Sequence, residues 1–218
     1  MVDTRYSQKK FTLLSNGHKM PRQGFGTYET PDQRDKQKFN TLIKEAIKVG
    51  YRHFDTASAY GNEEDLGKAL KEAISEGLVK REDLYITTKI WNNQKDDVEK
   101  ALKESLARLQ LDYIDLYLIH FPFGEVDLTT GKMQKQIPLH ITWKAMEDQV
   151  KAGRTKSIGI SNFNVQMTLD LLSYAEIRPV CNQVEVHPYF TQEDFVRFNK
   201  IHDIEIIAYF PLASRFHE

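Results

Sequence analysis

Residues 51–70, YRHFDTASAYGNEEDLGKAL, hold a short apolar strand that ends on Asp55 and a capped helix that begins soon after Tyr60. Gly50 closes the helix before this stretch, and Phe54 is the last bulky apolar residue of the strand. Asn62 or Gly61 is placed to cap a helix carrying Leu66, Ala69, Leu70 and Ala73. Asp55 and Tyr60 therefore fall at a strand's C-terminal end and on the loop that follows it. In a strand-then-helix repeat, strands hold such positions in place while the loops are free to carry function.

The same unit recurs on both sides. Upstream, Phe39, Leu42, Ile43, Ala46 and Ile47 recur at helical spacing within residues 35–49. Before that helix QGFGTY reads as a short strand whose Gly24 and Gly26 let a backbone or ligand come close. A hairpin is expected over residues 11–20, turning at Asn16-Gly17 and broken by Pro21. Downstream, a strand at 84–89 precedes a helix at 97–110, IDLYLIH a helix around 142–152, SIGIS one around 165–174, and VCNQVEV one around 192–202. IEIIAYF closes the series. Counting QGFGTY, this gives seven strands and six helices, the pattern of a parallel sheet covered by right-handed crossovers.

An open doubly wound sheet and a closed eight-stranded barrel both have this pattern. The polar strand ends favour the barrel: Asp55, Lys89, His120, Asn162, Gln183 and Tyr209 each lie at or just beyond the end of successive strands, so closure gathers all six at one mouth. No GxGxxG opens the first crossover. The expectation is an α/β fold of the (β/α)8 TIM type, one domain over residues 1–218, with about seven of its eight strands present. The ending at Glu218 reads as a C-terminal truncation lacking the last strand and its helices. The longest loop, 121–139, is placed to cover the mouth.

Thirty Lys and Arg against 31 Asp and Glu leave a formal net charge of −1, which gives no electrostatic footprint for nucleic acid or anionic membrane. The single cysteine, Cys181, excludes an internal disulfide and fits a reducing compartment, so a cytoplasmic protein is expected. Cys181 lies inside an apolar strand and reads as core. The N-terminal residues lack the apolar run of a signal peptide, and no window approaches a membrane span. Seven histidines without an HxxxH or Cys/His cluster suggest no metal site.

Singly, a loop tyrosine, a lysine and a strand-end aspartate have ordinary structural readings. Together at one mouth, Asp55, Tyr60, Lys89 and His120 have a chemical logic. An ammonium beside a phenol favours the phenolate and is expected to lower its pKa from about 10. Asp55 would hold that lysine charged, and His120 would orient a carbonyl oxygen to which the tyrosine gives a proton.

Six spaced segments, GFGTY (24–28), FDTASAYGNE (54–63), TKIW (88–91), LIHFP (118–122), GISNF (159–163) and NQVEVHPY (182–189), resemble the signatures of the aldo-keto reductases, in that family's order. The resemblance implies a (β/α)8 barrel plugged at its bottom by an N-terminal hairpin, and reversible reduction of aldehydes or ketones with NADP(H) as cofactor. It implies Tyr60 as proton donor, Lys89 as the tuner of its pKa, Asp55 as the support of Lys89, and His120 as the group that positions the carbonyl. Ser161, Asn162 and Gln183 would meet the nicotinamide carboxamide, Tyr209 would stack on its ring, and Gly26, Thr27, Tyr28 and Asp55 would lie beside the cofactor. Leu212 and Ser214 would remain as pyrophosphate contacts, although Phe210 and Ala213 depart from the family pattern. Tyr28, Trp91 and Phe121, with His120, would line the substrate pocket. Ser161-Asn162 as a helix cap, Gln183 as a satisfied interior amide and Tyr209 as core stay open alternatives. So does a barrel that binds cofactor or a partner without useful turnover. The partner expected of an enzyme is a small carbonyl or alcohol.

Overall fold

The apolar runs become strands in the computed structural model, which describes residues 10–29, 35–127 and 129–213. β1 (Phe11–Leu13) and β2 (Lys19–Pro21) pair antiparallel as a hairpin. β3 (Gly24–Gly26), β4 (His53–Asp55), β5 (Tyr85–Ile90), β6 (Ile114–Ile119), β9 (Thr155–Ser161), β10 (Cys181–Glu185) and β11 (Glu205–Tyr209) form one parallel sheet, in that spatial order. Two short strands, β7 (Glu125–Val126) and β8 (Met133–Lys135), make a second hairpin within the long loop after β6. The seven parallel strands curl into a nearly closed barrel of the (β/α)8 type. Its helices are α1 (Lys36–Lys48), α2 (Glu63–Ser75), α3 (Val98–Leu109), α4 (Leu139–Lys151), α5 (Val165–Tyr174) and α6 (Glu193–Ile201). No helix among the described residues is long and apolar enough to cross a membrane.

Strand alternation sorts residues between the two sides of the wall. Phe54, Ile86, Ile90, Tyr117, Ile119, Ile158 and Ile160 point outward into a core shared with Ile43, Ile47, Leu66, Leu70, Leu102 and Trp143 of the helices. The parallel register instead aligns Asp55 with Thr87, Thr87 with Leu116, Lys89 with Leu118, and Gln183 with Ser161 on the inner face. Gly159 is needed inside: a Cβ there would stand 2.7 Å from Cys181 Sγ and 2.8 Å from Leu118 Cδ2. Across the barrel's other end, Leu14 and Met20 of the hairpin pack on Tyr85, Leu116, Leu118 and Cys181. Asn16 Nδ2 donates to Ser157 Oγ at 2.9 Å, so the hairpin closes the end where the strands begin.

Several local expectations need correction. The hairpin turn spans more than Asn16-Gly17, with only Gly17 at positive φ (85°), because the Asn16 side chain is spent on Ser157 and on the His18 N–H. Pro21 does not break the hairpin; it is the last residue of β2 opposite Phe11, where a two-stranded ribbon tolerates a missing donor. α4 starts at Leu139 rather than near Thr142, since Pro138 is pre-set for helix entry and its carbonyl accepts from Thr142 N at 3.2 Å.

Candidate active site

Separate crossovers deliver the acid-base groups to the C-terminal mouth. Asp55 is the last residue of β4, Lys89 lies near the end of β5, Tyr60 closes the short 3-10 turn Ser58–Tyr60, and His120 follows β6 directly. Gly61, at φ 62°, ends that turn in the left-handed conformation glycine adopts without strain. The Lys89 ammonium is fully buried; it donates to Asp55 Oδ1, to Thr56 O at 2.9 Å and to Tyr60 Oη at 3.3 Å. The His120 ring lies 5.6 Å from the Tyr60 ring, nearly perpendicular to it.

The residues expected beside a cofactor join the same network. Gln183 Nε2 donates to the second Asp55 oxygen at 2.8 Å. Ser161 Oγ donates to Gln183 O at 2.8 Å, and Asn162 Nδ2 donates to His120 O at 2.9 Å and to Ser161 Oγ at 3.1 Å. Tyr209 Oη donates to Asn162 Oδ1 at 2.9 Å. Thr27 Oγ1 donates to Asp55 O at 2.9 Å. Gly26 pairs with Asp55 across β3 and β4, and a Cβ at Gly26 would meet nothing within 4 Å. Space for a ligand is thus left beside Asp55, while Ser161, Asn162 and Gln183 offer neutral donors and acceptors suited to a carboxamide. Leu212 is 92% exposed on the turn after β11, and Ser214 lies outside the described residues.

Aromatic rings flank this centre. Trp91 stands 5.0 Å from His120 and 5.8 Å from Phe121, Phe121 stacks on His120 at 5.1 Å, and Tyr28 meets Tyr60 at 5.0 Å. Phe123, 5.2 Å from Phe121, extends the wall beyond the residues the sequence pointed to.

Electrostatics depart from expectation at Tyr60. Burial raises the phenol's pKa above its ordinary value, and the opposing pull of Lys89 does not overcome it, because the Asp55 carboxylate offsets the ammonium. The expected lowering by Lys89 is present in direction but not in outcome. For Lys89 itself, burial disfavours the charged form, yet Asp55 and Tyr60 together hold the ammonium above the usual lysine range. Burial, reinforced by the Lys89 charge, pushes His120 down to about 3, so the imidazole is neutral at ordinary pH. Burial also pushes the Cys181 thiol up, in keeping with its place in the core.

Three supports were not legible in advance. Asn62 begins α2 but does not cap it; its Nδ2 donates to Thr27 O at 2.6 Å and its Oδ1 accepts from Thr56 Oγ1 at 2.6 Å, tying two mouth segments together. Glu63 is buried behind β5, where it accepts from Thr88 Oγ1 at 2.6 Å, Ser105 Oγ at 3.2 Å and Arg108 Nε at 2.8 Å. Gln94 Oε1 accepts from Trp91 N at 3.0 Å and Ser58 Oγ at 2.6 Å, joining the turn that carries Tyr60 to the one that carries Trp91. Glu63 is the last residue of the FDTASAYGNE segment, a signal that its carboxylate does more than open a helix.

Known proteins resemble this chain over most of its length. The family model described as Aldo/keto reductase family matches residues 23–218. An NADP-dependent D-sorbitol-6-phosphate dehydrogenase from Malus domestica is 42% identical over 213 residues, covering 92% of this chain and 67% of that protein. Aldo-keto reductase family 1 member C2 from Homo sapiens is 43% identical over 229 residues, 100% of this chain and 70% of its own length. The crystal structure of a Bombyx mori aldo-keto reductase in complex with NADP superposes with a TM-score of 0.85 at 41% identity, covering 92% of this chain and 66% of that one. The chain therefore spans about two thirds of the length of the relatives it matches. With the family model matched over residues 23–218 and these relatives more than 40% identical over at least nine tenths of the chain, the chain belongs to the aldo/keto reductase family.

Proposed function

We propose that the protein catalyses reversible reduction of aldehydes or ketones to alcohols with NADPH, with residues 1–218 forming a single barrel domain and Tyr60 as proton donor. The observation that carries this reading is the hydrogen-bonded chain Asp55, Lys89, Tyr60 at the strand ends, with neutral His120 beside it. NADP(H) is supported by the names of the relatives and by the fit of Ser161, Asn162 and Gln183 to a carboxamide next to the open space at Gly26. When bound, the reduced nicotinamide supplies the hydride.

This chain's own groups do the rest. Tyr60, a protonated phenol well above neutral pH, gives its proton to the carbonyl oxygen as the alkoxide develops. The phenolate so formed is stabilised by the ammonium 3.3 Å away, which Asp55 and Thr56 O keep charged and aimed. His120 orients and polarises the carbonyl oxygen without competing for the proton. Tyr28, Trp91 and Phe121 exclude water from the reacting carbon.

The test is Tyr60→Phe, followed by NADPH oxidation with a simple aromatic aldehyde. Loss of a general acid should lower kcat/KM by roughly 10²- to 10⁴-fold, while NADPH binding and thermal stability stay near those of the parent. Turnover equal to the parent's would remove Tyr60 from the role. Binding of NADPH by the parent without aldehyde-dependent oxidation would instead leave a binding barrel.

A further inference from the structure

Lys95 is buried to 3% exposure, yet its ammonium faces no carboxylate among the described residues. It is held by two backbone carbonyls on another loop, Phe121 O and Phe123 O, each at 2.6 Å. A buried charge costs folding free energy unless its geometry is useful. Here the two carbonyls belong to the residues whose rings form one side of the pocket. Phe121 stacks within 6° of parallel on His120, and Phe123 leans on Phe121.

The neighbours of Lys95 in sequence extend the stitching. Gln94 binds Trp91 N and Ser58 Oγ, and Asp96 accepts from Lys135 Nζ at 2.9 Å on β8. Three consecutive residues thus fasten the loops after β4, β5 and β6, and of the three Lys95 alone reaches the backbone of Phe121 and Phe123.

We propose that Lys95 is a positioning residue for substrate selection: its ammonium clips the loop after β6 to the turn carrying Trp91, setting how bulky a carbonyl compound the pocket admits. The size preference rests on the reductase reading; the clip itself does not.

Burial pulls the Lys95 ammonium down to about 8. His120 across the gap is neutral, Asp96 is paired with Lys135, and Asp97 caps α3 through Lys100 N at 3.0 Å. Raising the pH through 8 therefore converts two charge-assisted hydrogen bonds into ordinary amine ones, roughly half as strong, and relaxes the wall.

Trp91 reports this directly, since its ring touches both His120 and Phe121. Trp143, buried in the core with its indole N–H donated to Ile177 O, supplies a constant background. Intrinsic fluorescence of the purified protein should change with a midpoint near pH 8, and Lys95→Met should abolish that transition. With a bulky aromatic aldehyde, Lys95→Met should raise KM by about tenfold while kcat stays within about twofold, the pattern of lost positioning rather than lost chemistry. A small aliphatic aldehyde should show little change in KM. If Lys95→Met does not fold, Lys95→Gln, which keeps a neutral N–H donor group but no charge, and the titration of the unmodified protein carry the same test. A flat emission profile through pH 8, or an unchanged transition in the variant, overturns the proposal. If the fluorescence behaves as described but no aldehyde is turned over, the clip stands and only the reductase reading falls.

Discussion

Lys89→Met should unfold the protein far more readily than the loss of one surface cation would. Methionine matches the length of the buried stem, so packing is nearly conserved and the change isolates the charge. The lysine side chain is 0% exposed and Asp55 only 15%, so the variant leaves a largely desolvated carboxylate with Gln183 as its remaining side-chain partner, and leaves Thr56 O without its donor. Breaking a buried pair on one side costs about 3–5 kcal/mol. The residual exposure of Asp55 and the Gln183 bond point to the lower figure, about 3 kcal/mol. For a chain of this size that corresponds to a Tm lower by roughly 6–12 °C. Because the Lys89 pKa is raised on folding, its contribution is fully present below the ordinary lysine pKa and is lost only as pH rises through the folded value. The deficit should therefore be constant across the neutral range. Adding Asp55→Asn removes the stranded charge and should restore about 2 kcal/mol of the loss, a non-additivity read from a double-mutant cycle in urea. A loss below about 1 kcal/mol for Lys89→Met, or strictly additive effects of the two changes, would refute the picture of a coupled buried pair.

Other outcomes follow from the same geometry. Gly67→Ala would place a Cβ 2.5 Å from Leu109 O and 2.6 Å from Arg108 O, both backbone atoms. It should push α2 off α3 and destabilise by about 1–3 kcal/mol in denaturant unfolding. Since His120 is held near 3 when folded against its ordinary 6.5, the unfolded state binds more protons between those values. Its contribution to stability is thus present above the ordinary histidine pKa and lost as pH falls toward 3. His120→Phe should flatten that part of the acid-unfolding curve, as followed by circular dichroism. The raised Tyr60 pKa predicts a kcat/KM for reduction with no fall from Tyr60 ionisation below about pH 10, whereas a break near neutrality that disappears in Tyr60→Phe would contradict it.

What the sequence made legible was what periodicity and spacing encode. The mouth of the barrel could be read because Asp55, Lys89 and His120 stand at or just beyond the ends of successive apolar runs, which put them at one end of the sheet. The supports were hidden because they depend on partners distant in sequence. Asn62 looked like a helix cap, and only the fold shows that Thr27 and Thr56 take its amide. Arg108 stands among the charged residues of α3 with nothing in the sequence to point to a partner, yet it reaches the buried Glu63 across the α2–α3 contact. Lys95 carried no signal at all, since a single lysine on a loop is normally in water. The direction of the Tyr60 shift was missed for a related reason: the neighbouring charge can be named from sequence, whereas the extent of desolvation depends on how four loops close over the phenol.

The division of β5 between its two sides has a practical corollary for anyone altering the protein. Lys89 serves the interior and Thr88 serves Glu63 outside, so inserting or deleting one residue before them would exchange their roles, aiming an ammonium at the helices and a hydroxyl at the reactive centre. Length changes should be tolerated at the exposed residues 129–132 before β8, and should be lethal to activity by odd numbers anywhere within the staves. A library of indels scored for turnover would map that odd-even rule directly.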